Sequence, residues 1–355
     1  MLGVTYSAAF GRLRSLSLDF LSKDFLQNLA RMNDPQEIAD ALESTWYRQD
    51  IEAYASMYSP PELIEVAVNR HMIMVNKLAV SVVPLFGKNA LLAYLSKWDI
   101  ENIELILAAK SLGRSIEETE PFLVSSRNLP VGIVGNVIPY SDLKLLLQQP
   151  DVEAVVNQLV KYGYGAVLLQ ELSDFRRTGD LGSFTAALQK FYYQRLLWEL
   201  RYFKGDELTL REYIRAEIAK KNILNLLKSK ESNLPKDVFA KHIIDGGLIE
   251  QRQLLDAYET PSSKELVRRF EPWFDLSSAV DRYSESGNLT EFEVEMDRLL
   301  SRDYLPRLRS HPLSVSAVFE FVIRAEFERQ NIRRIVYAKQ YKMSEKYIND
   351  ILLVV

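Results

Sequence analysis

The sequence predicts an all-α protein made of three related helical domains. Three observations predict it. Apolar residues recur at i, i+4 and i+7 steps through most of the chain, the period of amphipathic helices. Alternating apolar and polar runs, the mark of strands, are few. One helical pattern also returns three times with its residues at fixed spacing, and such repeats decide the architecture.

Each repeat opens with a pair of helices. The segments are DFLQNLARMNDPQEIADALESTWY, SDLKLLLQQPDVEAVVNQLVKYGY and EQRQLLDAYETPSSKELVRRFEPWF. Each reads as a helix, a break at or beside Pro35, Pro150 or Pro261, and a second helix ending in aromatics. Proline fits the first turn of a helix but not its interior, so it separates the two. Asp34 and Asp151 suit helix starts, where a negative charge meets the positive end of the dipole. A further helical pattern follows, such as FTAALQKFYYQRLLWELRYF in the second repeat.

The last helix of each repeat carries the most specific signal. EYIRAEIAKKNILNLLKSKE and FVIRAEFERQNIRRIVYAKQ share seven identities without a gap. They are Ile214, Arg215, Ala216, Glu217, Asn222, Ile223 and Lys230, against Ile323, Arg324, Ala325, Glu326, Asn331, Ile332 and Lys339. A weaker copy upstream, YLSKWDIENIELILAAKS, keeps Asn102, Ile103, Ile106 and Lys110 but has Lys97 where the others have Glu217 and Glu326. The two signals hold their separation: 55 residues from Tyr47 to Asn102, 58 from Tyr164 to Asn222, and 57 from Phe274 to Asn331. Repeats of this length are domains rather than solenoid units. Boundaries at the turn-rich stretches 125–130 and 245–247 divide the chain into 1–128, 129–249 and 250–355. PVGIVGNVI (130–138) reads as a linker or an irregular lead into a helix rather than a strand.

Composition removes whole classes of function. The 355 residues are 47% apolar and 26% charged, enough to bury several cores. A net charge of −4 argues against a nucleic-acid binder, which would be basic. With no cysteine there is no disulfide, Cys-ligated zinc, iron–sulfur cluster or thiol nucleophile. The amphipathic N-terminus MLGVTYSAAFGRLRSL lacks the apolar core of a secretory leader. The best apolar run, LAVSVVPLFG, is far short of the ~20 residues of a spanning helix and holds a proline. Any membrane role is therefore expected to be peripheral, through protein partners.

Candidate chemistry is sparse, and no catalytic, cofactor or metal residue is assigned. No Gly-rich turn ends in Gly-Lys-Ser/Thr, and GIVGNV (132–137) lacks the third glycine of a dinucleotide fingerprint. His71, His242 and His311 are scattered over the three repeats, and none has a second ligand at i+3 or i+4 on a metal-binding face. Glu217 and Glu326 are expected to pair with a Lys or Arg of another segment at a helix crossing. Asn102, Asn222 and Asn331 are read as architectural: asparagine is a mediocre helix former, so its return at one place implies a required buried hydrogen bond. Lys220, Lys221, Arg329, Arg333 and Arg334 flank two of these asparagines, whereas the first repeat has Asp99, Glu101 and Glu104. Such charge is expected on solvated faces, where it is a candidate for partner contact, and its differing sign would orient an asymmetric partner. Trp46, Trp98, Trp198 and Trp273 are assigned to core packing.

Three related helical domains whose last helices carry Arg-x-Glu, then Asn-Ile, then Lys at these positions resemble the C subunit of V-type and archaeal A-type ATP synthases. That family includes the d subunit of V-ATPases. The resemblance spans the chain and is strongest at 211–247 and 319–352. It implies a funnel of three pseudo-equivalent domains at the cytoplasmic face of a membrane. One end rests on the membrane proteolipid ring and the other receives the D and F subunits of the central shaft. Such a component transmits torque for ATP-linked ion transport and is neither an ATPase nor a channel. Lys97 departs from the pattern and breaks the equivalence of the three domains. The residues alone point the same way, since three similar domains around an axis leave a concavity for a rod-like partner and need no symmetric copies. A monomer is therefore expected in isolation. The alternative is a helical-repeat adaptor of another complex, against which the repeat length argues. A helical enzyme would need an acidic metal cluster, and neither EET (117–119) nor EFEVE (291–295) is one.

Overall fold

The computed structural model describes residues 2–125, 127, 138–260 and 262–353. Among these residues the regular elements are twenty α-helices and four short 3-10 turns, with no strand. Both of the linker segments named above, PVGIVGNVI up to residue 137 and GIVGNV, lie outside the described residues, as does Pro261.

The opening helix pairs form where the prolines and caps place them. They are Lys23–Arg31 and Pro35–Leu42, Tyr140–Leu147 and Val152–Gln158, and Gln251–Tyr258 and Ser263–Arg268. Asp34 accepts from the Gln36 and Glu37 amides, Asp151 from Ala154 and Ser262 from Glu265. Each cap satisfies a backbone donor that the first turn would otherwise leave bare. The Asn222 helix runs Leu208–Glu231 and the Asn331 helix Ser316–Gln340. The Asn102 helix, Lys97–Ser111, follows Leu85–Leu95 with only a local break at Ser96.

These three helices end alike. Eleven residues after the asparagine each chain turns through the left-handed region, at Gly113 (φ 64°), Asn233 (φ 51°) and Lys342 (φ 55°). Glycine and asparagine adopt this conformation readily, and it stops the helix and reverses the chain. A short helix follows, Ile116–Thr119, Lys236–His242 or Glu345–Ile351, and the chain then runs back alongside the helix it has left.

Packing between repeats is cyclic. The Asn102 helix packs on Gly182–Glu199 of the second repeat, and the Asn222 helix on Thr290–Arg309 of the third. The Asn331 helix packs on Pro60–Val82 of the first. One apolar cluster therefore joins Leu26, Ile38, Ile51, Ile64 and Val68 to Ile332, Ile335, Ile348 and Leu352 across nearly the whole length of the chain. Each repeat lends its last long helix to the core of the next, and the third closes on the first. Within 245–247, Gly246 turns at φ 87°.

Candidate functional site

The site grows from the three asparagines. All are fully buried. Asn102 Nδ2 donates to the Val124 carbonyl at 2.8 Å while its Oδ1 accepts from the Val124 amide at 2.8 Å. Asn222 makes the same pair with Ile244, at 2.8 and 2.8 Å, and Asn331 with Leu353, at 2.8 and 2.7 Å. In every repeat the partner lies 22 residues downstream, on the segment that returns after the helix. A side-chain amide is the one group that can offer donor and acceptor together to an extended residue, so asparagine is the residue the position needs.

Three residues before each asparagine the repeats differ in a paired way. Asp99 Oδ1 accepts from the Ile138 amide at 2.5 Å and Oδ2 from the Tyr164 hydroxyl at 2.8 Å. Glu328 accepts from the Leu21 amide at 2.5 Å, the Tyr47 hydroxyl at 2.8 Å and Trp46 Nε1 at 3.0 Å. Both carboxylates thus tie the start of the following repeat, with the third joined back to the first. Burial pushes Asp99 up to about 7, although Ile138, Tyr164 and Arg195 pull the other way. Burial likewise pushes Glu328 up to about 7 against its donors and Arg324. The corresponding third pair is Ala219 and Phe274, with neither carboxylate nor hydroxyl. Sequence reasoning missed these joints, although a carboxylate matched with Tyr twice and Ala with Phe once was a readable signal.

Five residues before the asparagines, the matching positions meet. Lys97 Nζ lies 2.7 Å from Glu326 Oε2 and 3.6 Å from Glu217 Oε1. The lysine that breaks the pattern is the cation between two convergent carboxylates. Burial alone would lower its pKa, but Glu326 and Glu217 outweigh burial and raise it. Burial raises the Glu217 carboxyl, Lys97 opposing and Glu326 adding to the rise. Three glutamates here would pack like charges together without the lysine that lies between them.

Above this floor lies a cleft of roughly 320 Å³. Its walls include Glu101, Glu104, Gln189, Lys221, Glu293 and Arg333. Tyr213 also lines it, and the lining continues along the three helices to Glu104, Lys221 and Arg333, toward their C-terminal halves. Glu217 Oε2 and Gln330 Oε1 are buried there without a hydrogen bond from the protein.

The basic residues flanking the asparagines fall into two groups. Lys220 is buried and bonds to Asp297, which also takes Arg334 at 2.8 Å. Arg329 is buried, bonding to Asn69 Oδ1 and Glu101 Oε1, both at 2.7 Å. The expectation of solvated faces therefore fails for Lys220 and Arg329, because they cross to the carboxylates of neighbouring helices. Lys220, Lys221, Arg329 and Arg333 all line the cleft, Lys221 and Arg333 from half-buried positions, with Arg333 bonding to Glu65 at 3.0 Å. Of the tryptophans, Trp98 is buried, Trp46 and Trp273 are half-buried against the core, and Trp198 is 62% exposed. The core assignment of Trp198 is thus corrected: its helix turns that face outward at the end of the bundle. His71 is buried against Asp50 at 2.9 Å, and His311 lies 3.4 Å from Asp206.

A threefold return of one amide bracket, closed into a cycle, is a distinctive architecture. The family model for the ATP synthase (C/AC39) subunit matches residues 9–351. The chain belongs to that family. The C subunit of the A-type ATP synthase of Thermoplasma volcanium is 38% identical over 98% of both chains. Its counterpart in Thermoplasma acidophilum is 35% identical over 98% of both, and that of Methanocaldococcus jannaschii 24% identical over 98% of this chain and 86% of its own. Matches of this extent carry the asparagine helices of all three repeats into the ATP synthase (C/AC39) subunit family. Among the described residues, no helix is long and apolar enough to cross a membrane.

Proposed function

We propose that this chain is the non-catalytic socket of a rotary ATPase central stalk, holding the D and F shaft subunits over the membrane proteolipid ring on its cytoplasmic face. Repeats 1–128, 129–249 and 250–355 would form a funnel around the cleft. The cleft carries this reading. It lies where three repeats converge, and its floor is an ion-paired cluster of Lys97 between Glu217 and Glu326 rather than a nucleophile with a base. A concave, charged, rigid floor suits the end of a rod-like protein. Lys221 and Arg333, on the cleft walls, would be the residues that contact the shaft. Asn102, Asn222 and Asn331 brace the helices that form the cleft, so torque passes through brackets rather than loops.

A tagged chain recovered from gently solubilised membranes, with bound proteins identified by mass spectrometry, tests this. The D and F shaft components together with a small proteolipid are expected. Recovery of a different complete assembly, with no rotary-ATPase component, would replace the socket by a helical adaptor.

A further inference from the structure

Among the described residues, buried carboxylates are neutralised where they sit, with two exceptions. Asp297 pairs with Lys220 and Arg334, Asp50 with Arg70 and Glu65 with Arg333. Glu120, Glu291, Glu295 and Glu320 each pair with an arginine. Asp99 and Glu328 are buried with no arginine, lysine or histidine within ion-pair distance among the described residues. They also hold matching places, three residues before Asn102 and Asn331. An ionised carboxylate taken out of water without a counter-ion is costly, so such a group takes up a proton instead.

Both exceptions clasp a helix pair at its two ends. Asp99 accepts from the Ile138 amide, just before the second repeat's opening pair, and from the Tyr164 hydroxyl, just after it. Glu328 accepts from the Leu21 amide, just before the first repeat's pair, and from the Tyr47 hydroxyl, just after it. The third repeat's pair is held without a titratable group. The Leu248 amide before it donates to the Arg215 carbonyl at 3.1 Å, and Phe274 after it lies in the apolar core with Ala219. The charged and titratable groups around each clasp do not supply a counter-ion. Arg195 and Tyr162 face Asp99 from the second repeat, and burial outweighs the pull of Arg195. Arg324 and Tyr47 face Glu328, and Lys23 lines the small cavity beside it. His71 lies against the Trp46 and Tyr47 rings, 4.5 and 4.4 Å between centroids, and is bonded to Asp50.

We propose that Asp99 and Glu328 are proton-dependent clasps that hold the opening helix pairs of the second and first repeats when protonated and release them as pH rises, while the third repeat's pair stays fixed. The neutral carboxyl lies in the seam without the cost of a buried charge. Once ionised, its charge has to be met by water, and water reaches it when the helix pair lifts away. Release separates Leu29 and Ile38 from the Asn331 helix, and Leu143 and Val155 from the Asn102 helix. The asparagine brackets carry no titratable group, so the long helices keep their places while the pairs move. The inference goes beyond the socket reading and does not depend on it.

Hydrogen exchange followed by mass spectrometry on the full chain tests this, from about pH 5 to about pH 9 with correction for the intrinsic exchange rate at each pH. Opening of residues 21–42 and 138–158 is expected to rise by up to about tenfold per pH unit as far as about pH 7, and to level off above about pH 8. Residues 251–258 are expected to show no pH dependence. Glu328→Gln, the amide analogue of the neutral carboxyl, should flatten the profile of 21–42 and leave that of 138–158 as it was. Asp99→Asn should do the reverse. This crossed pattern separates the clasps from a general loss of stability, and from titration of His71 and Asp50, which Glu328→Gln leaves in place. In the unaltered chain, flat profiles at 21–42 and 138–158, or an equal rise at 251–258, would overturn the proposal whether or not either variant folds. A slope at 21–42 that survives Glu328→Gln would likewise overturn it.

Discussion

Replacing Asn222 with alanine removes both arms of one bracket. The Ile244 amide and carbonyl, each 2.8 Å from the asparagine, are left buried without a partner. An unsatisfied buried polar group costs about 1–3 kcal/mol, so the pair costs about 2–6 kcal/mol, with about 4 kcal/mol as the central expectation. A factor of ten in equilibrium corresponds to about 1.4 kcal/mol, so local opening at Ile244 should become several hundredfold more frequent. Native-state hydrogen exchange over residues 242–249 reads this directly, and urea unfolding reads the global cost. Asn222→Asp should not rescue, because one carboxylate oxygen would accept from the Ile244 amide while the other faced the Ile244 carbonyl. Asn102→Ala and Asn331→Ala should cost similar amounts, since their distances are nearly the same. Unchanged exchange at 242–249, or a stability loss below about 1 kcal/mol, would refute the claim that the brackets hold the helices.

Lys97→Met strands Glu217 and Glu326 beside each other; a loss of about 3–5 kcal/mol is expected, and adding Glu326→Gln should recover most of it in the same urea assay. Asp99 and Glu328 have folded-state pKa values near 7 against ordinary values of 3.8 and 4.5, so the folded state binds protons that the unfolded state has released. Their contribution is therefore full below about pH 4 and falls as pH rises toward 7, by up to about 1.4 kcal/mol per pH unit for each group. Asp99→Asn with Glu328→Gln, which mimics the protonated forms, should flatten that slope in melting curves from pH 5 to about pH 8, and an unaltered slope would place the titration elsewhere. Gly87→Leu would drive a side chain into Val315 and part the segments that carry them, and should lower the melting temperature without changing exchange at 242–249.

Much of the architecture was legible because it repeats. The prolines and Asp34 and Asp151 marked the opening helix pairs, since caps and missing amides act over one turn of chain. The three asparagines were recognisable as buried for the same reason: a poor helix former does not recur in a helix without a partner. Their shared partner 22 residues on was not, because the left-handed reversal that brings it back is carried by Gly113, Asn233 and Lys342, three different residue types. Nor was the fate of the charges. Lys220 and Arg329 look like surface residues on a helical wheel, and only a neighbouring helix bearing Asp297 or Glu101 makes burial tolerable.

By itself the sequence determined the helices, their threefold return and the family, because these depend on spacing along the chain. Tertiary structure alone decided that each repeat's last helix enters the next repeat's core, that Lys97 stands between Glu217 and Glu326, and that Trp198 faces outward. Those outcomes depend on which surfaces meet across more than a hundred residues. Burial and pairing are properties of the meeting, and neither partner's local sequence contains them.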